Sequence, residues 1–469
     1  MGKAKIKSTN RDLQGRILTA LNHMRPKKAD KGTFIVGRST EESPTKVRYL
    51  VTTGIRAFDD RVGGMPVGKT IELIGMPQSG KTNMAVRTCV RAQMGHIYER
   101  VEDDGGKITL KKLKPGTYDV TTMYYDNEGS LSDFDKRRVD GVLMDGLIIP
   151  CDTVELLWKT MDRVIVEVDK EEEETGRLQI LIVVIDTVGI MSTAMEMEKE
   201  FGKIDYPRVP KQLKDGFKRM TGKMMRENVL LIGLNHVSKK LVQGYKRGPG
   251  MKGWEYQQPG GLAFSYCSFH QVYFETLQVK YRLAKRGSPD GYLVYFCAMK
   301  NRIMPPLREC RMALLFTVKN GETQEILREG GFNDELSILE ALIYDKAAEI
   351  KKDGTGIVFR FSAFGVETTT FSKGESTPSL EEQDENDDDD GGTSRKRKSS
   401  KPDARPRRLF NPRISTRGEW HDFYAEHKAD LDALYDRATQ AATCGDLMPS
   451  KGAFPEDEDE ADEDNELEP

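Results

Sequence analysis

Apolar positions recur along this chain at two periods. Residues 11–24 (RDLQGRILTALNHM) place Leu13, Ile17, Ala20, Leu21 and Met24 at helical spacing. A polar stretch, 25–45, follows. From about 50 to 330, short β-rich runs alternate with helical stretches. The runs are TIELIG (70–75), TTMYYD (121–126), LQILIVVIDT (178–187), VLLIGLN (229–235), HQVYFETL (270–277) and YLVYFCAM (292–299). Strands alternating with helices predict an α/β fold with a mainly parallel central sheet covered on both faces. The uninterrupted apolar run 180–185 reads as a central strand, buried on both sides. Residues 95–120 are punctuated by Gly and Pro around an alternating ITLKKLK, which predicts a small hairpin.

Beyond the sheet-forming region the pattern changes. Residues 334–351 predict a helix with Leu336, Ile338, Leu339, Leu342 and Ile343 on one face, and IVFRFSAF (357–364) reads as a strand. Residues 365–409 are Ser/Thr-rich, then acidic, then basic, a composition expected to be disordered. A last helical segment, 418–443, carries Trp420, Phe423, Tyr424, Leu431, Leu434 and Tyr435. The expected organisation is an N-terminal helix and linker (1–49), a core (50–330), a small C-terminal α+β domain (331–370), an acidic and basic linker (371–409), a helical segment (410–450) and an acidic tail (451–469). No internal repeat is present.

Composition narrows the function classes. Of 469 residues, 37% are hydrophobic and 31% charged, and no apolar run reaches the ~18 residues of a membrane span. The start, MGKAKIKSTNRDLQGR, lacks the apolar core of a secretory signal. The six cysteines are scattered without a CxxC pair, so neither a disulfide framework nor a zinc site is expected, and a reducing cytoplasm is. His23, His96, His270, His421 and His427 show no metal-ligand spacing. The net charge of −3 hides an asymmetry: 381–392 carries −8 and 455–469 carries −10, neither with a base, which leaves +15 on the rest. A basic body with acidic appendages points to a polyanionic partner. The run Arg395–Lys398 adds a short basic patch.

The chemistry-bearing motif is GMPQSGKT, Gly75–Thr82, which fits GxxxxGK[ST] between a β-rich run and a helical one. Gly75, Met76, Pro77, Gln78, Ser79 and Gly80 form a loop whose amides face phosphate oxygens at a helix N-terminus. Lys81 is expected to reach the β/γ-phosphates, and Thr82 to offer its hydroxyl to Mg²⁺. Asp186 ends the apolar strand 180–185, where ligands sit in open α/β sheets, and is the second candidate for the Mg²⁺ shell. YYDNEGS (124–130) ends another strand-like run with Asp126 and Glu128. Triphosphate hydrolysis needs a carboxylate to polarise a water, and chemistry alone leaves the choice among these carboxylates open.

After His236 comes VSKKLVQGYKRGPGMKGWEYQQPG. It carries Lys239, Lys240, Lys246, Arg247 and Lys252, interleaved with Tyr245, Trp254 and Tyr256. A long Gly-rich loop with cations for phosphates and rings for bases suits single-stranded DNA. Lys203, Tyr206 and Arg208, within 194–210, are weaker candidates for the same role.

Together these stretches resemble RecA-type recombinases. LVTTGIRAFDDRVGGMPVGKTIELIGMPQSGKT (50–82) is similar to the family's approach to its phosphate loop. YDNEG matches its catalytic-glutamate strand end, which implies that role for Glu128. VVIDTVGIM (183–191) resembles the strand carrying the metal-site aspartate. IGLNHVSK (232–239) resembles the γ-phosphate sensor, with His236 at a position that is Gln, or His in the phage (UvsX-like) branch. PGGLAFSYCSFHQVYFE (259–275) resembles the return from the second DNA loop. MKNRIMPPLRECRMALLF (299–316) resembles the segment reaching a neighbouring subunit's ATP, which implies Lys300 and Arg302 as trans-acting groups. Asp133 and Phe134 are the implied nucleobase contacts.

The resemblance implies a RecA-like P-loop ATPase core with an N-terminal oligomerisation helix. It implies a helical homo-oligomeric filament on single-stranded DNA, pairing with double-stranded DNA, and ATP and Mg²⁺ as ligands. Single-strand-binding or mediator proteins are further implied partners, and the cytoplasm of a bacterium or phage-infected host the implied location. A hexameric DNA helicase or ring ATPase on the same fold is the alternative.

Overall fold

The computed structural model describes residues 46–102, 108–131, 134–198, 208–241, 247–248, 251–252, 254–257, 263–281, 289–350, 357–368 and 417–444. The predicted helix 11–24, Asp133, Lys203, Lys246, the linker 371–409 and the acidic tail lie outside them. The chain divides into two compact units, one within Met1–Thr276, Phe296–Glu309 and Thr317–Gly331, the other within Leu277–Tyr295, Cys310–Phe316 and Phe332–Pro469.

In the first unit, a short antiparallel sheet comes first. It is built from β1 (Tyr49–Val51), β2 (Met65–Pro66), β4 (Ile97–Glu102) and β5 (Ile108–Lys112) in the order β2-β1-β4-β5. The pairing of β4 with β5 is the hairpin expected within 95–120. Helix α1 (Arg56–Val62) is held by Asp59, whose Oδ1 accepts from the Thr53 amide and hydroxyl and whose Oδ2 accepts from the Gly54 amide.

The main sheet of this unit follows the predicted runs closely. Its strands are β3 (Thr70–Gly75), β6 (Tyr118–Asp126), β7 (Leu147–Ile149), β8 (Leu178–Asp186), β9 (Val229–His236) and β10 (His270–Tyr281). The order is β10-β3-β9-β8-β6-β7, and every neighbouring pair is parallel. Helices α2 (Lys81–Gln93), α3 (Val154–Thr175) and α4 (Arg208–Arg226) cover it. Leu181, Val183 and Ile185 of β8 join Leu157, Met161 and Ile165 of α3 and Leu213, Phe217 and Met220 of α4 in one core. Ile180, Ile182 and Val184 point the other way and are equally buried, on the face that α2 covers. Burial on both faces is why β8 reads as an unbroken apolar run. Thr153 caps α3 by accepting from the Leu156 amide, and Gly176, at φ 65°, ends it in the left-handed conformation.

The second unit is organised around α5 (Asp334–Tyr344), capped by Asn333. The helix predicted over 334–351 stops at Tyr344. Lys346 turns the chain at φ 59°, and Ala348–Ile350 then pairs antiparallel with Ile357–Phe359. The strand expected over 357–364 ends at Phe359, before a 3-10 turn, Ser362–Phe364. The last helical segment is two helices, α6 (Arg417–Glu426) and α7 (Lys428–Cys444). Trp420, 2% exposed, donates its Nε1–H to the Glu335 carbonyl at 3.1 Å, and Leu431, Leu434 and Tyr435 are fully buried. Among the described residues, no helix is long and apolar enough to cross a membrane.

Candidate nucleotide site and its surroundings

The parallel register sets the site. It pairs Gly75 with His236 and Asp126 with Asp186, and sets Ile185 opposite Gly233, so four neighbouring strands end at the same side of the sheet with the Gly75 and His236 ends reaching further than the other two. Carboxyl ends of parallel strands are where α/β sheets bind ligands. β3 ends at Gly75, where a Cβ would lie 2.2 Å from the Phe274 carbonyl oxygen, so a side chain there has no room. The loop turns through Gln78 at φ 60° and Gly80 at φ 87°, and α2 begins at Lys81. The first-turn amides of α2 have no partners within the helix, a geometry suited to an anion.

Lys81 is buried. Its Nζ donates to the Gly75 carbonyl at 3.0 Å, the Met76 carbonyl at 2.8 Å and Ser79 Oγ at 3.4 Å. Burial lowers its ammonium to about 8, against the pull of Asp186 and Glu128. Thr82 Oγ1 donates to Asp186 Oδ2 at 2.9 Å, and Tyr124 donates its phenol to the same oxygen at 2.8 Å. Ser130 Oγ lies 3.3 Å from it. Burial raises the Asp186 carboxyl above its usual range, the hydrogen bonds from Tyr124 and Thr82 oppose this, and the charges of Glu128 and Asp126 add to it. Asp126 accepts from the amides of Ser130 and Leu131, at 2.9 and 3.0 Å, which folds residues 126–131 into a turn that presents Glu128. Glu128 Oε1 lies 2.7 Å from His236 Nε2. Lys81, Thr82, Asp186, Glu128 and His236 are thus brought together.

The donor set suits Mg²⁺. Among the described residues no three His, Cys, Asp or Glu side chains converge into an all-protein metal cage. Mg²⁺ does not require one: it keeps several waters and binds through one or two protein oxygens plus phosphates. Thr82 and Asp186 offer two such oxygens, hydrogen-bonded to each other at the end of the Gly75–Gly80 loop.

Lys300 and Arg302 stand elsewhere. Lys300 Nζ donates to the carbonyls of Ser265 and Tyr266 at 2.9 and 3.2 Å, and the Arg302 guanidinium lies 5.8 Å from the Phe269 ring centre. Among the described residues no hydrogen bond links either to the Lys81 cluster. Phe134 opens a 3-10 turn, Phe134–Arg137. Arg208 opens α4, with Nη1 2.8 Å from Met195 Sδ.

The segment expected to be a long loop after His236 carries strand structure. Ser238–Leu241 pairs antiparallel with Trp254–Gln257, which sets Lys239 opposite Tyr256 and Lys240 opposite Glu255. Arg247 pairs with Lys252 in a two-residue ladder. Aromatic residues in 254–257 favour such pairing over open loop.

Three features escape sequence reading. The Tyr124 and Ser130 hydroxyls meet Asp186. Glu72, fully buried in β3, accepts from Ser265 Oγ at 2.9 Å, Gln271 Nε2 at 2.8 Å and Asn235 Nδ2 at 3.3 Å. It thereby ties together residues on both sides of 238–262. Finally, α4 exposes Lys211, Lys214 and Lys218. Their spacing of three and four residues in the sequence is the signal that marks one basic face.

The chain is similar to proteins named RecA. It is 25% identical to protein RecA of Methylobacterium sp. (strain 4-46) over 268 residues, 57% of this chain and 62% of that protein. It is 22% identical to protein RecA of Wolbachia sp. subsp. Drosophila simulans (strain wRi) over 303 residues, 64% of this chain and 72% of that one. With protein RecA of Aquifex aeolicus (strain VF5) it shares 22% identity over 293 residues, 62% of this chain and 71% of the relative. The match to the first of these spans less than two thirds of that relative's length. No model of a known protein family matches the chain.

Proposed function

Taking the chain as a relative of the RecA-type recombinases, we propose that it is an ATP-dependent DNA recombinase. It polymerises on single-stranded DNA and promotes homologous pairing and strand exchange with a duplex. The observation that carries this reading is the meeting of Lys81, Thr82, Asp186, Glu128 and His236 at the carboxyl ends of neighbouring strands. The paired strands Ser238–Leu241 and Trp254–Gln257, which carry basic and aromatic residues, start two residues beyond His236.

The chemistry follows from those side chains. Lys81 exchanges loop carbonyls for β- and γ-phosphate oxygens as phosphate enters the loop. Thr82 and Asp186 would hold Mg²⁺, which would supply charge neutralisation at the phosphoryl oxygens. Glu128 accepts a proton from the water that attacks the γ-phosphorus, while the bond to the bridging oxygen breaks and ADP leaves. His236 holds Glu128 through Nε2 and faces the γ-phosphate, so loss of that phosphate is felt at the start of the hairpin. Nucleotide and DNA affinity are then linked, each tightening the other. Lys300 and Arg302 serve the ATP of the neighbouring protomer. Lys239, Lys240, Lys246, Arg247, Lys252, Trp254 and Tyr256 meet the strand, with Arg208, Lys203 and the basic face of α4 beside them. His236 is what favours the phage-type branch.

The test is Glu128→Gln. ATP turnover with single-stranded DNA is expected to fall by at least ~100-fold, the scale of a lost general base. Filaments on DNA, seen by electron microscopy, are expected to persist. Undiminished turnover removes Glu128 from the role. Closed hexamers without filaments would replace the recombinase reading with the helicase one.

A further inference from the structure

We infer that Tyr124 is a positioning residue that orients Asp186 for Mg²⁺, an inference that rests on the nucleotide-binding reading of the site. The phenol lies on β6 with no exposed surface, and it donates to Asp186 Oδ2 at 2.8 Å. The register explains why the two meet. Tyr124 pairs with Val184 and Asp126 with Asp186, and side chains two apart on a strand share a face. Tyr124 and Asp186 therefore rise from adjacent strands on the face that α2 covers.

Asp186 Oδ2 has two lone pairs, and the two shortest donors, Thr82 at 2.9 Å and Tyr124 at 2.8 Å, account for both. Among the described residues no hydrogen bond reaches Oδ1. The two donors differ in kind. Thr82 lies in the first turn of α2, just after the loop, and its oxygen is itself a proposed metal ligand. Tyr124 is fixed by the central sheet and by complete burial. Tyr124 thus holds the carboxylate in one rotamer whatever Thr82 does, which would leave Oδ1 available to the Mg²⁺ shell. Partners that orient a metal-site carboxylate without touching the metal set its affinity.

The experiment uses the full chain with Tyr124→Phe, which removes one oxygen atom. The reading is the binding of a fluorescent ATP analogue while Mg²⁺ is titrated, and again with Mg²⁺ chelated. The Mg²⁺ midpoint is expected to rise about ten-fold, the usual cost of losing an outer partner at a metal site. Binding without Mg²⁺ is expected to match the unaltered protein. In an Asp186→Asn background the Tyr124→Phe change should add nothing. Ser130→Ala, which loses the longer 3.3 Å contact, should shift the midpoint less and guards against a folding defect peculiar to the Phe variant. An unchanged Mg²⁺ midpoint, an equal loss with and without Mg²⁺, or a shift that survives in Asp186→Asn would each overturn the inference. Failure of the unaltered protein to bind the analogue would instead sink the nucleotide reading itself.

Discussion

Glu340 lies inside α5 with no exposed surface, and among the described residues no hydrogen bond reaches either of its oxygens. Burial pushes its carboxyl up to about 7, with Arg311 pulling the other way. The unfolded chain ionises this group near 4.5, so between 4.5 and about 7 the folded state holds more protons than the unfolded one. Stability must therefore fall as pH rises through that window and level off above it, by about 3 kcal/mol on this group's account. Glu340→Gln should raise the urea midpoint at pH 8 and change little at pH 4.5. Equal gains at both values would show that ionisation is not the cause. Single residues of the candidate site were legible wherever a strand end or loop exposed them: Lys81, Thr82, Asp186, Glu128 and His236 each follow an apolar run. Tyr124 was hidden because its partner lies on another strand, 62 positions away. Glu72 was hidden because a carboxylate inside TIELIG reads as outward-facing. Inside the fold it is met by hydrogen bonds from Asn235, Ser265 and Gln271.

Elements were legible to the degree that burial made them uniform. The runs at 70–75, 178–187 and 229–235 each match a strand, since strands covered on both faces are apolar at most positions. Boundaries written by isolated residues were not legible. The end of α5 rests on Lys346 at positive φ, which carries no glycine to announce it, and the break between α6 and α7 falls at His427, a residue with no breaking tendency of its own. Helix packing was equally invisible. α3 and α4 meet where Gly216 lacks a side chain: a Cβ there would lie 2.1 Å from Trp158 Nε1 and 2.2 Å from its Cε2. The indole ring packs edge-on to Phe217, 5.1 Å between centres. Gly216→Ala should thus force the helices apart despite alanine's better helix propensity, at a cost of about 1–3 kcal/mol for overpacking. A lower thermal midpoint with a changed Trp158 emission is the expected result, read in a variant whose other two tryptophans, Trp254 and Trp420, are Phe. A rise in midpoint would mean that propensity outweighs the clash.

At the scale of the whole molecule, charge is the organising quantity. The tail 455–469 concentrates ten negative charges with no base, against +15 once both acidic segments are set aside. Polyanion binding is dominated by cations that displace counterions, so a polyacid on the same chain competes at high local concentration. The residues it would compete for include Lys211, Lys214 and Lys218, exposed on α4. Deleting 455–469 isolates this effect, because a longer truncation from 381 would also remove the basic run Arg395–Lys398. The shortened chain should bind single-stranded DNA more tightly at ~50 mM salt, and the difference should shrink as salt shortens the reach of each charge to a few ångströms near 1 M. Its affinity should also fall more steeply with salt, since cations released from the tail become free to contact phosphates. Fluorescence anisotropy of a labelled oligonucleotide across a salt series reads both slopes. Coincident curves for the two proteins would mean that the tail does not contend with DNA for the basic face.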